Sequence, residues 1–345
     1  MKPTDETTDD GDAWPDGGTI DRDSKAPFEI YADVDLSREE RYHQRMDRSL
    51  IAPLKVLWSD WRARVGVFII AAYVLAGTVG VMVIEPPSTN TANAMVPMFK
   101  TWDHVLGTDL SGRDLFALMV HGTPPILKMI LSGAIFAILA GAGVGMIAGY
   151  KGGLVDRALM VVTDVLMTLP GLPLVIAISF VVEPESPYVI GLILAINNWT
   201  GLARAVRSQM FTLRDAGYVE VSRIMGISTP KIIKRDITPN LMPYILVNFM
   251  QASRRIIFES VGLYFLGILP FNTPNWGVVM NLAYQQGALY SFGAIHWLLV
   301  PMMTVVVFSL GLILLAQGAD RVFNPRIRAK HAKTTGDGDA ANERT

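Results

Sequence analysis

The chain has 345 residues, 51% of them hydrophobic, with a mean hydropathy of +0.34 and a net charge of −1. It is too apolar for an ordinary soluble protein. Cysteine is absent, which excludes disulfides, thiolate metal centres and cysteine nucleophiles.

Residues 1–36 are rich in Asp, Glu, Gly and Thr, with Asp5, Glu6, Asp9, Asp10 and Asp12 forming an acidic cluster, and are expected to be a disordered cytoplasmic tail. Residues 37–64 turn basic and amphipathic. Leu50, Ile51, Leu54, Leu57, Trp58 and Trp61 would rest on membrane lipid there, with the cations facing water. No cleavable signal peptide is visible, so the first apolar run is expected to act as an uncleaved signal-anchor.

A bilayer core of roughly 30 Å needs about 20 helical residues. Six runs meet that length, at about 65–84, 126–149, 156–182, 188–205, 244–269 and 297–319, inside a transmembrane domain of residues 65–320. Residues 321–345 form a second tail. The expected fold is therefore an all-α membrane protein with six transmembrane helices.

Lys and Arg set the orientation. Seven lie in 38–64, seven in 204–235 and six beyond Ala319, together with Lys151 and Arg157. The alternate segments hold only Lys100 and Arg113, plus Lys128 at the rim. This asymmetry predicts that both termini, and the loop at 206–240, are cytoplasmic.

That loop, between the fourth and fifth spans, is too long and too structured for a plain connection. Tyr218, Val221 and Met225 fall at i, i+3 and i+7, an apolar stripe on a short helix. Gly226 suits the left-handed residue that ends such a helix, Thr229-Pro230 suits the start of a second, and Pro239 is expected to stop that second one. The pattern is a helix–turn–helix at the membrane surface. It suits either docking to a soluble partner or a simple interfacial helix.

Within the spans, Gly141, Gly145 and Gly149 repeat every four residues, a face for close helix approach, expected inside this subunit. Arg254, Arg255 and Glu259 lie in the fifth span, where a charge must be paired or face a water-filled cavity. Arg255 and Glu259 share a helix face and are expected to pair, as a structural clamp or as part of a translocation path or gate. Asp164 in the third span and Asn197-Asn198 in the fourth carry the same two readings. Between the first two spans, Ser111-x-x-Asp114 fits a capping box. His104, Asp109 and His121 match no metal-ligand spacing. Nothing fits G-x-x-x-x-G-K-[ST], a Ser-His-Asp set or a basic–aromatic nucleic-acid face. The chain is expected to be non-catalytic, without cofactor, metal or nucleic acid.

Together the segments resemble the membrane-spanning permease subunits of binding-protein-dependent ABC importers, in the dipeptide/oligopeptide/nickel branch, over about Trp61–Arg328. His104…Leu106-Gly-Thr-Asp109…Gly112-Arg-Asp114 looks like that branch's outer HPLGTD–GRD segment, with Val105 in place of proline. Ala148-Gly-Tyr150…Gly152-Gly153…Val155-Asp156, Asp164-Val-Leu…Pro170, Glu259…Phe265-Leu-Gly267, Thr273-Pro…Trp276-Gly277 and Asn324-Pro-Arg326 follow in family order. The loop is similar to the family's EAA motif. It reads Glu220-Val-Ser222, three residues, Gly226, then Ile237-Thr-Pro239, with Val221 and Ser222 replacing two alanines.

The resemblance implies a second related permease subunit, two cytosolic ATPases and an extracytoplasmic solute-binding protein. It also implies a coupling role for Tyr218, Glu220, Val221, Ser222, Met225, Gly226 and Pro239. The cargo it implies is a peptide, nickel or a similar small solute. Two rivals are an ion-coupled secondary transporter using Asp164, Arg255 and Glu259, and a membrane anchor recruiting a cytosolic protein.

Overall fold

A computed structural model of the chain describes residues 58, 60–90 and 92–323. The expectations for the acidic tail, for most of residues 37–64 and for everything after Phe323 fall outside the described residues. Among those described, the regular structure is helical, and one isolated bridge joins Thr108 and Asp114.

Helix α1, Trp61–Leu75, starts on an Asp60 cap and runs through a π-turn at Ala76–Gly80 to Val81–Val83. Helix α2, Leu115–Lys151, is 37 residues long. It is longer than expected because the amphipathic run before His121 and the second apolar run form one helix through Pro124-Pro125. Its N-cap is Asp114, which accepts from the Phe116 and Ala117 amides; the Ser111 capping box is not formed. Gly152 and Gly153, with φ of +64° and +59°, make the reversal into the next helix.

The third expected span is broken. Helices α3 (Gly153–Thr168) and α4 (Gly171–Val182) meet at 87°. The cause is Pro170: a residue before proline is pushed out of the helical region, and Leu169 is extended at φ −70°, ψ 131°. The fourth is broken too, into α5 (Pro187–Ala195) and α6 (Thr200–Arg214), bent by 55°. Asn197-Asn198 sits in that break, where short amide side chains compete for backbone bonds. Asn197 Nδ2 donates to the Leu169 carbonyl, so each break supplies a partner for the other.

Beyond α6 come α7 (Gly217–Ile224), the single turn α8 (Thr229–Ile232), a π-turn at Ile233–Ile237 and α9 (Thr238–Phe265). Pro239 does not stop a helix. It lies in the first turn of α9, where its missing N–H costs nothing. Likewise Thr229-Pro230 are the first two helical positions and Ser228 precedes them as cap. Helix α10 (Trp276–Gln285), a 3₁₀ turn (Ala288–Tyr290) and α11 (Ile295–Phe323) complete the chain.

The bundle centres on α2. The small-residue face packs on α6: a Cβ on Gly145 would sit 2.5 Å from the Ala203 carbonyl oxygen, and one on Gly149 2.5 Å from the Met210 Cβ. The glycine repeat thus serves contact within the subunit, as expected. Trp276 is fully buried, donates its indole N–H to the Met119 carbonyl, and stacks edge-on with Tyr73 and Phe308. That anchors the Trp276-Gly277 segment into α1, α2 and α11. A second apolar cluster joins α2, α6, α7, the π-turn and α9 through Val206, Met210, Val219, Ile232, Ile237 and Leu241.

Trp61–Val83, Leu115–Lys151 and Ile295–Ala319 are each long and apolar enough to cross a membrane, and the two bent pairs qualify jointly. Phe68, Met82 and Leu139 leave 76%, 87% and 69% of their surface uncovered. Such apolar exposure along a long helix suits lipid, not water. Helix α9 has the length to span but carries Asn248, Gln251, Arg254, Arg255 and Glu259.

Candidate functional site

Two places gather the residues singled out from the sequence. The first is α7 and the turn after it. Val219 is fully buried against α6 and α9, so the helix is rooted in the bundle. The opposite face presents Tyr218, Val221, Ile224 and Met225, exposed by 46, 57, 80 and 73%. The spacing had marked three of these. Ile224, the most exposed, was missed, although it lies three residues after Val221.

Gly226 has φ +72°, and the turn is a complete Schellman closure. The Ile227 amide donates to the Ser222 carbonyl (3.1 Å) and the Gly226 amide to the Arg223 carbonyl (3.0 Å). Ser222 Oγ donates to Asp236 Oδ2 (2.9 Å), and Asn240 Nδ2 to Tyr218 Oη (3.1 Å). The two departures from the alanine pair therefore divide their work: Ser222 braces the helix inward and Val221 faces outward. Glu220 is exposed. Pro239 contributes from below, by starting α9.

The second place is a polar cleft at the two span breaks. Two adjoining cavities of about 300 and 460 Å³ share walls made by Asn197, Asn198 and Arg255. Arg255 and Glu259 do not form the expected direct pair. Arg255 Nη1 donates to Asn198 Oδ1 (3.0 Å) and Asn198 Nδ2 donates to the Leu194 carbonyl (2.8 Å), while Glu259 lies close to both Arg255 and Asn198. Gln251 and Asn248 line the same cleft, one and two steps before Arg255 on the 248–251–255–259 stripe of α9. That i, i+3, i+4 spacing was legible in the sequence and was overlooked. Arg254 donates to Gln251 Oε1 (3.0 Å) and lines neither cavity.

Asp164 is not in the cleft. It pairs with Arg204 of α6, while Asp156 pairs with Arg207, whose Nη2 is 2.6 Å from Asp156 Oδ2. Arg207 and Arg214 both stack on Phe211, at 4.7 and 4.8 Å. Two ion pairs thus strap α3 to α6, a contact between residues some 40 to 50 positions apart that spacing along one helix does not reveal.

His104, Asp109 and His121 do not converge. Asp109 is fully buried, accepting from the Ser111 and Arg113 amides and from Arg113 Nε (2.6 Å), whereas His121 Nε2 meets the Ile84 carbonyl. Thr108 and Asp109 hold the segment before α2 in place; Gly107, at φ +83°, lies against the Val96 carbonyl and His296.

The described residues thus form a helical membrane protein with two bent helix pairs around a polar cleft and a rooted helix that displays an apolar face. The model of the family described as "Binding-protein-dependent transport system inner membrane component" matches residues 141–329. The chain belongs to that family: it is a permease subunit of a binding-protein-dependent transport system.

Among curated relatives, the oligopeptide transport system permease protein OppC of Bacillus subtilis (strain 168) is 29% identical over 78% of this chain and 87% of its own length. The dipeptide transport system permease protein DppC of the same organism is 32% identical, over 66% and 70% respectively. Among solved structures, a chain of the inward-facing MetNI methionine ABC transporter aligns with 59% of this chain and 96% of its own length, at 16% identity and a TM-score of 0.45.

Proposed function

We propose that this chain is a six-span permease subunit that passes peptides, or a similar small solute, through the membrane. An extracytoplasmic solute-binding protein delivers the cargo, a second related permease completes the pathway, and two cytosolic ATPases hydrolyse the ATP. The chain itself is non-catalytic and holds no cofactor. Both termini and residues 206–240 face the cytoplasm, as the Lys/Arg asymmetry requires. Helix α9 is the sixth membrane crossing; Arg255 and Glu259 are tolerable there because they face the cleft, and Arg254 because it bonds to Gln251.

The observation that carries this reading is the two-sided build of α7. Val219 is fully buried in the cluster that joins α2, α6 and α9, while Val221, Ile224 and Met225 stand exposed on the other side. An exposed apolar face on a rigidly rooted helix fits a complementary groove on a soluble partner. Movement of that partner would pass through Val219, Ile232 and Ile237 into the spans. Tyr218, Glu220, Val221, Ser222, Met225, Gly226 and Pro239 form or support this coupling element. Asn197, Asn198, Arg255 and Glu259 line the path; Arg254 and Asp164 support it from outside the cleft.

The names of the relatives favour peptides as cargo. The test is reconstitution of this chain with its partner permease, ATPases and binding protein in proteoliposomes. Uptake of a dipeptide or oligopeptide that depends on ATP, and is lost when Ile224→Asp abolishes ATPase recruitment, is the expected result. Uptake by this chain alone, driven by a proton or sodium gradient, would overturn the reading in favour of a secondary transporter.

A further inference from the structure

The cleft at the span breaks has an electrostatic character that a generic water-lined path does not require. Arg255 is exposed, on a helix of membrane-crossing length, and it donates to a neutral amide, Asn198 Oδ1. A guanidinium at that depth is costly unless it meets water or an anion. Pro170 and Gly171, at the N-terminal end of α4, line one cavity; Thr200 and Gly201, at the N-terminal end of α6, line the other. The N-terminal residues of α4 and α6 thus form part of the walls of the two adjoining cavities, where a helix carries its positive dipole end. No side chain on Gly171 or Gly201 screens those ends. Glu259 is the one acidic group among the residues lining the two cavities.

We propose that this cleft is a carboxylate station: Arg255, flanked by the N-termini of α4 and α6, receives the free carboxylate of the passing cargo. Glu259 offsets part of the positive field, so that the anion is held weakly and released. Two opposite charges one helical turn apart, about 6 Å along the axis, give attraction without a deep trap. The station rests on the reading of the cargo as a peptide or similar solute, and it adds which end of that cargo the subunit recognises.

The test uses the complete reconstituted complex and a matched pair of probes, labelled trialanine and its C-terminal amide. Uptake of each is normalised to its measured occupancy of the binding protein, so that selection by that protein is divided out. The wild-type complex is expected to favour the free acid, and Arg255→Gln to lower the acid-to-amide ratio about tenfold, with Arg255→Lys largely restoring it. Glu259→Gln is expected to move the ratio the opposite way, upward by about threefold, and carries the test alone if Arg255→Gln fails to assemble.

Equal loss of both probes in Arg255→Gln, or a ratio unmoved by either variant in assembled complex, overturns the station while leaving peptide transport standing. No ATP-driven uptake of either probe by the wild type, with the binding protein occupied, overturns the peptide reading and the station with it.

Discussion

Replacing Gly226 by valine tests the coupling element at one residue. The glycine has φ +72°, and a Cβ built there meets nothing within 4 Å. The substitution therefore causes no clash with the spans, and its whole cost is local. An L-residue in the left-handed region costs about 1–2 kcal/mol, with a β-branched one at the upper end. At 2 kcal/mol the closed turn loses about thirtyfold in population relative to open alternatives. Opening breaks the bonds from the Ile227 and Gly226 amides to the Ser222 and Arg223 carbonyls, and Met225 loses its fixed position. The assay is solute transported per ATP hydrolysed in the reconstituted complex, with the yield of membrane-inserted chain as control. Gly226→Ala should fall between the wild type and Gly226→Val. A normal transport-to-hydrolysis ratio in Gly226→Val would refute the argument that this turn's geometry transmits the ATPase motion.

Ile224→Asp should leave the thermal midpoint of the purified chain almost unchanged, because the residue is 80% exposed, but should abolish co-purification with the ATPase; retained co-purification removes Ile224 from the interface. Gly145→Ala should depress folded yield sharply, since its Cβ would sit 2.5 Å from the Ala203 carbonyl oxygen. Gly143→Ala, with nothing within 4 Å, should be neutral or mildly stabilising, so equal effects of the two would refute the close packing of α2 on α6. Asp156→Asn should destabilise more than Asp164→Asn, by about 2 against at most about 1 kcal/mol, because the Asp156–Arg207 pair is the more buried of the two. Thermal melts of both variants check the order. The double exchange Arg255→Glu with Glu259→Arg should lose transport at normal protein levels, because a carboxylate at 255 would face the Asn198 Oδ1 acceptor that the guanidinium now meets; full activity in the exchange would restore a simple ion pair.

The sequence by itself determined that this is a helical membrane protein, because apolar runs of bilayer length and segregated cations are one-dimensional properties. It also determined the left-handed turn at Gly226 and the exposed stripe of Tyr218, Val221 and Met225, since both are local consequences of backbone sterics and helical period. Family spacing then named the class of subunit.

What only the tertiary structure decided lies between segments. Pro170 was visible, but not that its break would face the break at Asn197-Asn198 and be tied to it through the Leu169 carbonyl. Pro239 starts a helix instead of stopping one, because the π-turn at Ile233–Ile237 carries the chain on without a gap. Arg255 lies one turn from Glu259, yet it bonds to Asn198, 57 positions away in sequence. Asp164 and Asp156 found Arg204 and Arg207 on a neighbouring helix. Helical periodicity fixes which residues share a face, but the partner of a charged side chain depends on which other helix lies opposite. That was set by the approach of α2 and α6 over Gly141, Gly145 and Gly149.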